Sequence, residues 1–201
     1  MQNSGKWAIG IVAGLLVIMF FTYNHLVTAE ENVNGAWSEV QNQLKRRSDL
    51  IPNLVKTVQG YASHESGIFK EVTEARAKVG QVVSIDVTKL ANDPALQKQL
   101  LDAQQNLTNS LGRLIAVAEN YPNLKASENF LQLQNDLTGT ENRIAVARGR
   151  AINNTRDFNK SVRSFPSNII AGFFGFTAKK YYEAPEDEQK VPTVDFQQKK
   201  G

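Results

Sequence analysis

The chain has 201 residues, 41% of them hydrophobic and 21% charged, with 23 basic side chains against 20 acidic and no cysteine. That length fits one ordinary domain with appendages, and the hydrophobic share is enough to build a core. Lack of cysteine excludes disulfides, thiolate catalysis, iron–sulfur clusters and Cys-based zinc sites, and a net charge of +3 is too small to imply a nucleic-acid partner.

Residues 1–6 form a short tail, and residues 7–21 (WAIGIVAGLLVIMFF) follow without one polar side chain. Extended to residue 27, this stretch is about 31 Å long as a helix, the thickness of a hydrocarbon core. A backbone in lipid must satisfy its own hydrogen bonds, so a transmembrane helix is expected over 7–27. Trp7 and Tyr23 occupy interfacial belt positions, with Leu15 and Phe21 inside the span. A cleaved leader ending near Ala29, where Val27-Thr28-Ala29 offers small residues, is the competing reading and would release a secreted domain. A buried core helix is the third reading. Lys6 precedes the span and no basic residue follows it before Lys45, which favours a cytoplasmic N-terminus and an outer or periplasmic main domain.

Residues 28–164 read as a helical bundle. Thr28 and Glu31 have the spacing of a capping box, should the helix restart after the membrane. Alternating steps of four and three from Val33 pass through Trp37, Val40, Leu44, Arg47, Ile51, Leu54, Val58, Tyr61, Glu65, Ile68, Val72, Ala75 and Val79. Twelve of these fourteen positions are apolar, which predicts one long amphipathic helix with a coiled-coil-like seam. At Pro52 either a new helix starts, capped by Asp49, or the first continues with a kink; the unbroken phase favours continuation. Residues 80–92 lose the periodicity and read as a connection. Asp93-Pro94 then opens a second helix, whose face is Leu96, Leu100, Ala103, Leu107, Leu111, Leu114 and Ala118. After a break at residues 120–123, Ser127 is placed to cap a last long helix. Its face is Phe130, Leu133, Leu137, Ile144, Ala147, Ala151, Phe158 and Val162. Short connections imply antiparallel packing, so the expected fold is all-α, an N-terminal transmembrane helix followed by an antiparallel bundle of long helices.

Charges on the seam need explanation, because a buried unpaired charge is costly. Arg47 and Glu65 lie about 27 Å apart along one helix and cannot pair within it. Their partners are sought on the last helix, among Glu141, Arg143 and Arg148. Lys45-Arg46-Arg47 otherwise reads as a solvated helix face. His64-Glu65 lacks the second histidine of H-E-x-x-H, and no phosphate loop or nucleophile elbow occurs, so no metal, cofactor or catalytic residue is expected. An enzyme reading would have to rest on Glu65 or Glu71.

Residues 165–182 (FPSNIIAGFFGFTAKKYY) hold six of the seventeen aromatic residues, enough to mark a separate amphipathic segment. Ser167 is placed to cap a short helix there. Phe165, Ile169, Ile170, Phe173, Phe174 and Phe176 are candidates for packing on the bundle, for a subunit interface or for lipid contact. Residues 183–201, rich in proline and charge, read as a flexible tail.

Three blocks carry a resemblance: AWSEVQNQLKRRSDLIPNLVKTVQGYASHE, LGRLIAVAENYPNLKASENFLQLQNDLTGTENRIAVAR and FPSNIIAGFFGF. In this order they resemble the bacterial LemA family over roughly residues 32–182, together with the N-terminal anchor. The resemblance implies a membrane-anchored four-helix domain without established enzymatic activity, and a magnetosome-associated branch implies work on membranes or their protein assemblies. It singles out Lys45, Arg46, Arg47, Asp49, Glu141, Asn142, Arg143 and Arg148 as motif positions without giving them a chemical role. The functional expectation is a non-enzymatic, single-pass bacterial membrane scaffold that self-associates or docks other envelope proteins. Remodelling of the bilayer surface by the aromatic segment is the alternative.

Overall fold

The computed structural model describes residues 4–180, and these contain helices without a strand. Helix α1 (Ser4–Gln59) runs through 56 residues, from the apolar N-terminal stretch into the bundle. It does not restart at Thr28, whose hydroxyl donates to the Asn24 carbonyl at 2.9 Å within the same helix. The remaining long helices are α2 (Ser66–Val83), α4 (Pro94–Glu119) and α6 (Glu128–Arg163). Short helices α3 (Val87–Asn92), α5 (Pro122–Lys125) and α7 (Ser167–Phe174) connect or follow them.

Pro52 lies inside α1, so helical continuation is the outcome there. Proline has no N–H for the carbonyl four residues back, here that of Ser48. Arg76 of α2 donates its Nε–H to that carbonyl at 2.8 Å, so a side chain from a neighbouring helix replaces the missing backbone donor.

The expected seam through residues 33–79 is split between two helices. The chain turns at residues 60–65; Tyr61 is exposed, Ala62 is buried instead, and Glu65 occupies the cap position of α2. Val58, Phe69 and Val72 meet in one core because α1 and α2 form a hairpin, each presenting its stripe to the same interior. Residues 80–92 are more ordered than a plain connection: α2 continues to Val83, and α3 begins at a cap formed by Asp86. The Asp93 cap and Pro94 start α4 as the sequence predicts, with the Asp93 carboxylate accepting from the Ala95 and Leu96 amides. Ser127 stands at the cap position of α6 but makes no side-chain cap bond. Ser167 is the first residue of α7 and its hydroxyl donates backwards, to the carbonyls of Ser161 (2.5 Å) and Ser164 (2.9 Å).

Successive long helices alternate in direction. Cross-contacts pair α1 with α6 (Asn32 with Asn154), α2 with α4 (Glu71 with Ser110) and α1 with α2 (Ser48 with Arg76). Two apolar cores result. The distal one joins Ile51, Leu54 and Val58 to Val72, Leu107, Leu114 and Phe130. The other lies toward the apolar N-terminal stretch and joins Val33, Trp37, Val40 and Leu44 to Leu90, Leu100, Ile144 and Phe158. Fully burying such side chains contributes roughly 1.5–3 kcal/mol each, which offsets the entropy of ordering long helices.

Candidate functional site

A polar layer separates the two cores. Arg47 projects from α1 between Leu44 and Ile51 and is only 3% exposed. Its guanidinium donates to Gln104 Oε1 at 3.0 Å and to Thr108 Oγ1 at 2.9 Å, both on α4. It also pairs with Glu141 Oε1 of α6 at 2.5 Å, and the Glu141 side chain is 42% exposed. Burial pulls the Arg47 guanidinium below its ordinary value; attraction to Glu141 opposes this, and Arg148 adds repulsion. One cation thus ties α1, α4 and α6 together at a single height, which fixes register in a seam that could otherwise slide by a heptad.

A second constellation lies where the apolar part of α1 enters the bundle. From Trp7 to Tyr23 the large side chains of α1 are mostly exposed, while Leu26 is 0% exposed beneath the bundle. Helix α7 packs beside this junction. Tyr23 stacks on Phe174 with centroids 4.7 Å apart and meets Phe176 at 5.9 Å. Gly175 takes φ +79°, a left-handed conformation that suits glycine, and this reverses the chain so that the Phe176 N–H bonds the Ala171 carbonyl at 2.9 Å. The outer face of α7 is bare: Phe165, Ile169 and Phe173 all point away from the protein, Phe173 with 82% exposure. Ile170 and Phe176 are half-buried. Apart from α1, α7 and the adjoining Phe165, the large exposed hydrophobic residues among those described are Tyr61, Leu131 and Val146.

Behind α7 the chain is held by Lys179, which the sequence reading did not single out. Its Nζ reaches Glu30 Oε1 at 2.8 Å and Asn92 Oδ1 at 2.5 Å, and lies 5.1 Å from the Phe158 ring centre. Asn159 accepts from the Lys179 N–H (2.8 Å) and donates to its carbonyl (2.7 Å), a two-bond clamp. A groove of about 650 Å³ runs along this strap. Asn159 beside Phe158 on the inner face of α6 is the one sequence signal for it, a buried amide that needs partners.

The structure brings Arg47 and Glu141 together and separates the other motif positions. Lys45 and Arg46 are exposed, and Lys45 with Asp49 borders a cleft whose opposite wall includes Arg76 and Gly80. Asn142 and Arg143 face outward along a shallow groove with Glu39, Gln43 and Arg150. Arg148 is half-buried. Glu65 sits in the α1–α2 turn, away from Arg47, and Glu71 accepts from Ser110 at 2.8 Å and pairs with Arg113. Among the described residues no three His, Asp or Glu side chains converge in a way that would hold a metal ion. The expected tail from residue 183, with Tyr181 and Tyr182, lies outside the described residues.

These features define an all-α bundle carried on a helix long and apolar enough to cross a membrane. Residues 36–196 match the LemA family, and the chain belongs to it. It is similar to magnetosome protein MamQ 2 of Paramagnetospirillum magneticum, with 28% identity over 197 residues covering 90% of this chain and 72% of that protein. Magnetosome protein MamQ of Magnetospirillum gryphiswaldense is 26% identical over the same shares of both chains. Protein LemA of Metamycoplasma hominis is 26% identical over 176 residues, 86% of this chain and 75% of the relative.

Proposed function

We propose that this protein is a non-enzymatic, single-span scaffold of the bacterial envelope, whose bundle self-associates or docks other envelope proteins at the bilayer surface. The observation that carries the reading is the continuity of α1, one uninterrupted helix that bears the lipid-length apolar stretch and then a wall of the core. Retention of the anchor is supported by its contacts: Leu26 is fully buried, Tyr23 stacks on Phe174, and His25 Nε2 lies 3.2 Å from Ser161 Oγ. Cleavage near Ala29 would strip all three. Similarity to proteins named for the magnetosome agrees with work on membranes. The test has two parts. Carbonate washing should leave the full chain in the membrane, and purified protein should form a discrete oligomer whose mass exceeds one chain. Extraction by carbonate, or a strict monomer at every concentration without any captured envelope protein, defeats the proposal.

A second reading, surface insertion by α7, is favoured by the bare Phe165, Ile169 and Phe173 beside the end of the span. Since the native chain has no cysteine, a single Phe173→Cys carries one spin label cleanly. In reconstituted vesicles that label should be more accessible to oxygen than to a polar nickel reagent. The reverse ranking would place α7 in water.

A further inference from the structure

The membrane end of α6 carries charge that the scaffold reading leaves unused. Arg156, Lys160 and Arg163 follow one another at steps of four and three, so they share a narrow stripe of the helix. All three are exposed, and none has a carboxylate within ion-pair distance among the described residues. The buried side chains Ala151, Thr155 and Phe158 lie on another side of α6, Asn159 borders the stripe, and the stripe itself is exposed along its length.

Height is fixed by contacts between the antiparallel helices. His25 meets Ser161, and Asn154 donates to the Asn32 carbonyl, so Arg163 stands near the level of Tyr23 and Arg156 near that of Glu30. The stripe therefore covers about 10 Å along the axis, beginning where the exposed apolar surface of α1 ends. Bilayer headgroups extend about 5–8 Å beyond the hydrocarbon on each side, so the lower part of the stripe lies among them and its top stays within one Debye length of their charge. Nearby acids offer little competition. Glu30 is occupied by Lys179, and Asp157, which shares a groove of about 390 Å³ with His25 and Lys160, forms no ion pair with the stripe. The hydroxyls of Ser161, Ser164 and Ser167 in that groove donate back to main-chain carbonyls, so attraction here comes from charge.

We infer that Arg156, Lys160 and Arg163 form a headgroup-level basic face that binds the phosphodiesters of anionic lipids, beside the apolar seat of α7. This rests on the reading that α1 spans the bilayer and adds to it the class of lipid at its rim. Three basic side chains at a membrane surface bias the adjacent lipid by charge, and the bias weakens as salt screens it.

The experiment uses the full chain reconstituted in phosphatidylcholine vesicles that contain a trace of spin-labelled phosphatidylglycerol or spin-labelled phosphatidylcholine. The motionally restricted component measures lipid at the protein surface. Wild type should favour the anionic probe roughly threefold or more, with the preference falling at high salt. In R156Q/K160Q/R163Q the preference should approach unity, while the charge-retaining R156K/K160R/R163K keeps it, which separates lost charge from lost folding. An unselective restricted component in wild type, or a preference unchanged in the glutamine variant, overturns the inference and leaves the anchor reading intact. Absence of any restricted component with either probe overturns both.

Discussion

Pro52 sits in the middle of a bundle helix, where a missing backbone donor should be destabilising, and Arg76 supplies the replacement. Replacing Arg76 with Met keeps most of its volume and removes that donor. The Ser48 carbonyl then loses a charge-assisted hydrogen bond, worth about 1.5–3 kcal/mol when its acceptor cannot reach water. Arg76 is half-buried, so water recovers part of this and about 1–2 kcal/mol remains. For a chain of this size that is a fall of roughly 2–8 °C in the thermal midpoint, read by far-UV circular dichroism of the full-length protein in detergent. Pro52→Ala restores an N–H that points at the same carbonyl. In that background R76M should cost less than half as much, since the acceptor is no longer orphaned. A double-mutant cycle over the four proteins isolates the coupling. Equal costs with and without Pro52 would show that Arg76 acts elsewhere and that the helix tolerates its proline by another route.

Two further outcomes follow from the polar contacts. Glu141→Ala leaves Arg47 buried with neutral partners and should destabilise by about 1–2 kcal/mol, below the full value for a buried pair because Glu141 is partly solvated. The apolar replacement R47M/Q104L removes both the cation and its buried acceptor and should unfold at or above the wild-type temperature; a lower midpoint than E141A would mean that the charge itself stabilises the fold. At the start of α3, the Asp86 carboxyl is held below its ordinary value by the Thr88 hydroxyl first, and then by the Thr88 and Lys89 amides. A depressed carboxyl stabilises the folded state above the unfolded-state value, and that stabilisation disappears as pH falls through the folded-state value. The Thr88 amide resonance should therefore titrate with a midpoint below that of an ordinary aspartate, and a midpoint at or above it contradicts the cap.

The stripe residues of the bundle are visible in the sequence because burial selects them at helical spacing, and Val33, Trp37, Val40, Leu44, Ile51, Leu54 and Val58 are buried as that spacing predicts. The break after Gln59 is hidden for a physical reason. Val58, Glu65 and Val72 are separated by seven residues each, so the phase survives by numerical accident, although the two arms of the hairpin approach one core from opposite directions. Turn chemistry was the available signal, in Gly60, Ser63, Ser66 and Gly67. The Arg47 layer is half legible. Burial of a cation demands a carboxylate, but the axial offset of α6 against α1, which selects Glu141, is set by tertiary packing. The Lys179 socket is not legible, because its groups come from α1, α3, α6 and the strap and meet only after Gly175 turns the chain.

The relation between span and bundle has a geometrical consequence on the proposed reading. The exposed apolar surface of α1 ends near Tyr23, because Leu26 lies under the bundle, and Trp7 to Tyr23 covers about 25 Å. A hydrocarbon core is about 30 Å thick, so α1 alone falls short by roughly one helical turn. Phe165, Ile169 and Phe173 stand at the bundle end of the span, where α7 packs on Tyr23, and widen the apolar surface at that level without lengthening it. The deficit is then met by local bilayer thinning, and the hydrocarbon boundary is held near Tyr23. With α7 as a collar the bundle rests at one depth, and α1 passes into it without a flexible joint. Tilt and rotation of the bundle are then set by the protein's own packing, so neighbouring copies present the same faces at the same height. A scaffold that works through lateral contact requires that property, and a bundle hung on a loose linker would lack it.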